Sequence, residues 1–159
     1  MGKKVHYALV LLWVSVWMTF MGGCASKEEC QIDIEKLAQR LSSEISYEDH
    51  VTLSTEEMAL LLYNLQADQI KEAYLYLSAG ATTEEIAVFE CSDEKTAITV
   101  KKAAEQRIQQ QKESVKTYNP KELQRLEQAL VQTEGPYVIV SISGDPELAQ
   151  QIVNEVMER

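Results

Sequence analysis

Tyr74-Leu75-Tyr76-Leu77, Gly80, and then Ile86-Ala87-Val88-Phe89-Glu90-Cys91 read as strand, turn and strand. Aromatic and β-branched side chains suit a pleated surface, and glycine suits the turn between. Asp93 follows as a helix cap, and a long helix is predicted over 94–118, with Ala97, Val100, Ala104, Ile108, Gln111 and Val115 on one side. Pro120 disfavours helix at Asn119 and ends it there. The same order then returns: a strand over 130–133, a turn at Gly135-Pro136, a strand over 137–142, and Asp145-Pro146 opening a helix with Ala149, Ile152 and Val156 as its stripe. A shift of 52 positions lays Asp93, Ala97, Val100 and Ala104 over Asp145, Ala149, Ile152 and Val156. Amphipathic helices share such spacing by chance, so the repeat speaks for architecture rather than ancestry. The expected fold is α+β: one antiparallel sheet of about four strands, built from two hairpins, with helices packed against it.

Outward from these units, Ile34, Leu37, Ala38, Leu41 and Ile45 predict a first helix near 33–45. Residues 47–53 form a loop with room for a short strand. Ser54, with Glu57 three places on, predicts the start of a second helix that buries Met58, Leu61, Leu62 and Leu65. Asn119, Pro120 and Glu122 open a short helix before the second hairpin. Strand alternation sets Leu75 and Leu77 against Tyr74 and Tyr76, and Val138, Val140 and Ile142 against Tyr137 and Ile139. Both sheet faces are therefore apolar or amphipathic. Either helices cover both, or the face of Tyr74, Tyr76 and Tyr137 stays open as an interaction surface, a role that tyrosine's broad ring and hydroxyl fit.

The first 23 of the 159 residues have the layout of an export signal. Lys3 and Lys4 precede an apolar stretch over 5–21, and small residues stand just before Cys24. Met21-Gly22-Gly23-Cys24 resembles the lipobox of bacterial lipoproteins, with Met where Leu is usual. The resemblance implies a diacylglycerol-modified, palmitate-bearing cysteine as the mature N-terminus. An uncleaved transmembrane anchor is the alternative, and it gives the same address on the outer side of the cell membrane. On this reading residues 1–23 are the signal peptide, 24–31 a polar tether, and 32–159 one acidic domain.

The segment Gly80-Ala81-Thr82-Thr83-Glu84-Glu85-Ile86-Ala87-Val88-Phe89, the long helix ending at Tyr118-Asn119-Pro120, and Pro136-Tyr137-Val138-Ile139-Val140 together resemble the domain of unknown function 4358 family of small bacterial lipoproteins. The resemblance covers most of residues 30–158. It implies the same lipoprotein architecture and brings no activity and no catalytic residue.

Charge and composition narrow the chemistry. The formal net charge is −10, and it becomes more acidic once Lys3 and Lys4 leave with the leader. Such a chain repels phosphate backbones, so nucleic acid is excluded as a partner. His50 is the single histidine beyond the leader, and Cys30 and Cys91 lack metal-type spacing, so no metal or cofactor is expected. Cys30 and Cys91 are either disulfide-bonded or free. Asp49-His50 near Ser54 invites a triad reading, but no Gly-x-Ser-x-Gly elbow accompanies it. Gly80, Gly135 and Gly144 stand singly at turns, not clustered as a phosphate cradle. Carboxylates are abundant, so the pair Glu84-Glu85 carries little information; neighbours on a turn or helix start favour the local dipole. The expectation is a non-enzymatic lipoprotein domain that binds a protein, peptide or envelope component. The alternatives are a solute-binding or transport accessory lipoprotein and, behind both, an envelope hydrolase.

Overall fold

The computed structural model describes residues 31–157. The expected signal segment, Cys24 and Cys30 lie outside them. Helix α1 spans Ile34–Glu44, opened by Asp33, whose carboxylate accepts the Lys36 amide at 2.9 Å. Strand β1 is Val51–Leu53, and α2 is Glu56–Tyr63. A 3₁₀ turn over Ala67–Gln69 leads into β2, Ile70–Ser78. Then come β3, Glu85–Cys91, and the long α3, Glu94–Val115, capped by Asp93. Helix α4, Pro120–Glu127, is followed by β4, Leu130–Glu134, β5, Tyr137–Ile142, and α5, Pro146–Met157.

The five strands form one antiparallel sheet in the order β1-β2-β3-β5-β4. Both expected hairpins are present, and β1 adds a fifth strand through Val51 opposite Ser78 and Leu53 opposite Tyr76. Strand β3 is central. Ala87, Phe89 and Cys91 face a core shared with α2, α3 and α4, where Val100, Ala104, Leu126 and Val140 are buried. Ile86 and Val88 face the opposite core, where α1 supplies Leu37 and Leu41 and α5 supplies Ala149 and Ile152. The two strand-turn-strand-helix units therefore send their helices to opposite faces. The repeat is one of element order, not of placement.

Helix α2 departs from the sequence reading. Its cap is Thr55 rather than Ser54, and the Thr55 hydroxyl accepts the Met58 amide at 3.2 Å. Ala59 and Tyr63 point inward, whereas Leu61 is 72% exposed and Met58 38%. Of the predicted inward set, Leu65 is buried and Leu62 only half-buried. Residues 58–63 are apolar at every position, so periodicity cannot choose a face. Tyr63 chooses it: its ring meets Phe89 edge-on at 4.9 Å, and its hydroxyl has a buried partner. We expect Ala59→Leu to overpack this contact and lose about 1–3 kcal/mol, and Leu61→Ser to stay within about 0.5 kcal/mol of the parent. Urea titration of the two variants measures this, and the reverse ranking would put the predicted face inside.

Candidate functional site

The β2–β3 turn gathers most of the buried polar chemistry among the described residues. Glu84 and Glu85 are adjacent in an extended chain, so their side chains leave in opposite directions. Glu85 enters the core beneath α2 and α3. Arg107 grips it at both oxygens, at 2.9 and 2.5 Å, and the Tyr63 hydroxyl donates to it at 2.6 Å. The Arg107 guanidinium also lies 5.4 Å from the centroid of the Tyr63 ring. Glu84, its side chain 1% exposed, turns to the loop before β1 and accepts the backbone amides of Glu48 and Asp49, each at 2.9 Å. Arg125 stands 3.5 Å from it.

The residues before this pair complete the network. The Thr83 amide and hydroxyl donate to Glu122 of α4 at 2.6 and 2.8 Å. Glu122 pairs in turn with Arg125, which reaches Glu48 at 2.8 Å. Asp49 accepts the Thr82 amide at 3.0 Å and the Ser78 hydroxyl at 3.2 Å. A Cβ at position 80 would fall 2.2 Å from the Asp49 carboxylate, so any other residue there would push Asp49 off its bonds to Thr82 and Ser78. The run from Gly80 to Glu85 thus ties the central hairpin to α2, α3, α4 and the α1–β1 loop.

The electrostatics match this structural role. Burial pushes the Glu122 carboxyl up, but the hydrogen bonds from Thr83 and the ion pair with Arg125 together hold it below its usual range. Burial disfavours the Arg107 and Arg125 cations, and their carboxylate partners more than offset it. The Thr82 amide holds Asp49 low. Burial, then the Glu85 charge, drives the Tyr63 hydroxyl far above its usual range. None of these groups is poised to exchange a proton near neutrality.

The tyrosine face is covered. Tyr137 is 5% exposed and lies in the core beneath α1 and α5, its hydroxyl accepting the Ile32 amide at 3.3 Å. Of the two readings of this face, coverage by helices holds at Tyr137, because the stripes of α1 and α5 need that face, and Tyr137 takes no part in an open interaction surface. Tyr74 and Tyr76 are half-buried against the same core. The Tyr74 hydroxyl donates to Glu72 at 2.8 Å, which pushes it up to about 12. Tyr76 lines a shallow groove with Tyr47, His50 and Val51. His50 is exposed, while Asp49 is committed to Thr82 and Ser78, so the triad reading finds no assembled relay. Cys91 is a buried free thiol, pushed up to about 12 by burial and then by Asp93 and Glu90. Among the described residues no group of three or more His, Cys, Asp or Glu is placed to hold a metal ion.

Sequence reasoning missed Glu85, Arg107, Tyr63, Glu84 and Arg125 as a set. It treats Glu84-Glu85 as an uninformative pair of neighbours favouring a local dipole, and both are buried. The available signal was an extended segment carrying two acids immediately before an apolar strand.

An α+β domain with helices on both faces of a five-stranded antiparallel sheet, stapled by an internal polar network, is the class that the geometry defines. A family described as Domain of unknown function (DUF4358) matches residues 43–143, and the chain belongs to it. The match contains the whole sheet and α2, α3 and α4, and leaves α5 outside. No curated protein and no solved structure matches the chain.

Two predictions follow from the network's charges. Arg107→Met leaves Glu85 buried without its cation and should cost about 3–5 kcal/mol, with Glu85→Leu on top restoring most of the loss. Chemical denaturation of both variants is the measurement. Glu122 has a folded pKa below its ordinary 4.5, so its contribution is complete above that value and disappears as pH falls through the lowered folded value. Glu122→Gln should lower stability near pH 7 by about 2 kcal/mol. It should also flatten the acid limb of a melting-temperature profile between about pH 6 and about pH 3. An unchanged acid limb would remove Glu122 from the acid response.

Proposed function

We propose that this chain is an extracytoplasmic lipoprotein, held to the membrane by lipid on Cys24, whose folded domain binds a protein or peptide and performs no catalysis. The leader and the Gly22-Gly23-Cys24 junction support the anchor. The observation that carries the non-catalytic reading is the fate of the buried charges. Glu84, Glu85, Glu122, Arg107 and Arg125 are turned on one another and on backbone amides rather than into a cavity. Tethering then serves binding, since it confines the domain near its partners and raises their effective concentration. The acidic balance favours protein or peptide over nucleic acid.

Intact-mass spectrometry of the membrane-extracted protein tests the anchor. The expected N-terminus is an acyl-modified Cys24, and Cys24→Ala should abolish both the modification and the processing. A membrane-bound chain beginning at unmodified Met1 would overturn the lipid anchor in favour of a transmembrane one.

A further inference from the structure

The loop between α1 and β1 is secured from several sides. The amides of Glu48 and Asp49 donate to buried Glu84, the Glu48 carboxylate holds Lys121 and Arg125 of α4, and the Asp49 carboxylate accepts Thr82 and Ser78. Tyr47 is fixed as well, its hydroxyl donating to the Leu41 carbonyl at 3.1 Å. Buried charge used in this way contributes little net stability. What it gives this loop is a fixed shape, and a binding site needs walls that are held in place by such supporting bonds.

The loop is one wall of a groove of about 550 Å³, to which it contributes Tyr47, Asp49 and His50. Ser42 and Ile45 at the end of α1, and Tyr76 of β2, also line it. The volume lies in the range of small-ligand sites. No Lys or Arg lines the groove, since Lys121 and Arg125 are held by Glu48, and exposed His50 is the only residue of the lining that can become a cation. Asp49 brings a carboxylate. The last carbonyls of α1 carry the negative end of the helix dipole, and no basic residue stands in that last turn. Half-buried Tyr47 and Tyr76 offer aromatic rings, which attract cations. An anion finds no partner here, and a wholly apolar ligand would strip water from Ser42, Asp49 and His50 without replacing it.

The chain enters the described domain at the other end of α1, where the Ile32 amide donates to the Tyr137 hydroxyl. The 11 residues of helix between that end and the groove span about 16 Å. A lipid on Cys24 draws the entry end toward the bilayer, so the groove end faces other proteins rather than lipid headgroups.

We infer that the groove at the end of α1 receives a Lys side chain from a peptide segment of a partner protein. Asp49 and the α1 carbonyls attract its ammonium, and its aliphatic stem lies along the tyrosine rings. The inference rests on the binding reading of the domain and names the site and the partner's chemistry.

The test is an NMR titration of the full chain, in a sugar-headed detergent at neutral pH, with the blocked tripeptide Gly-Lys-Gly. The expected result is saturable shifts of the Tyr47, Tyr76 and His50 side-chain signals. Norleucine in place of the peptide Lys keeps the stem and removes the charge, and should weaken binding roughly tenfold. His50→Lys puts a fixed cation at an exposed position of the lining, and should weaken the Lys tripeptide roughly tenfold while leaving the norleucine one unchanged. Equal binding of the two tripeptides, or a His50→Lys variant that binds the Lys tripeptide as the parent does, would overturn the site. Shifts confined to other residues would overturn the site and keep the binding reading, whereas no shift with Lys, Glu or Leu tripeptides alike would count against both. Phosphatidylethanolamine nanodiscs, compared with phosphatidylglycerol ones, should leave the three side chains unmoved; shifts there would make a lipid ammonium the occupant and overturn the peptide partner. Intact mass of Cys24 on the same sample reads the anchor separately.

Discussion

Glu84 and Glu85 are neighbours in the chain and enter two different interiors, and the arrangement of the molecule depends on both being satisfied. A buried carboxylate without a partner is strongly disfavoured. Glu85 therefore requires Arg107 from the middle of α3 and the hydroxyl of Tyr63 from the end of α2, which fixes how both helices sit on the sheet. Glu84 requires two successive amides of the α1–β1 loop, which fixes where the chain re-enters the sheet as β1. Burying charge in this way contributes little net stability compared with apolar packing of the same volume, and its effect here is to select one arrangement.

Around that constraint the apolar packing is ordinary. One sheet serves two cores, and β3 contributes to both through alternate residues. Phe89 and Ala87 support the α2–α3 layer while Val88 and Ile86 support the α1–α5 layer. A change in β3 backbone position is therefore felt on both sides at once, because closely packed interiors transmit strain.

Much of this architecture could be read from the residues. Alternation separated Leu75 from Tyr74 and Tyr76, and helical spacing marked Ala97, Val100, Ala104 and Ile108, all of which are buried. Asp93 and Asn119 were readable as caps because a short polar side chain before a helix has one clear use. What stayed hidden was whatever depends on distant partners. Glu85 lies 22 residues from each of Tyr63 and Arg107, and a carboxylate carries no mark of which cation will neutralise it. Glu122 looked like a capping-box acid, but its side chain turns away from its own helix start to Thr83, 39 residues back. The face of α2 was hidden for the opposite reason, since six consecutive apolar residues contain no contrast to read.

Cys91 sits at the end of β3 against the α3 side of the core, with its thiol pushed up to about 12. At neutral pH the thiol is held in its uncharged form, and it is the thiolate that makes sulfur nucleophilic. Packing shields it as well, so an alkylating reagent reaches this sulfur only when the sheet and α3 separate. The molecule thereby contains its own clock for opening. The labelling rate of Cys91 at low reagent concentration reports the population of the separated state, and at high reagent concentration the rate of separation itself.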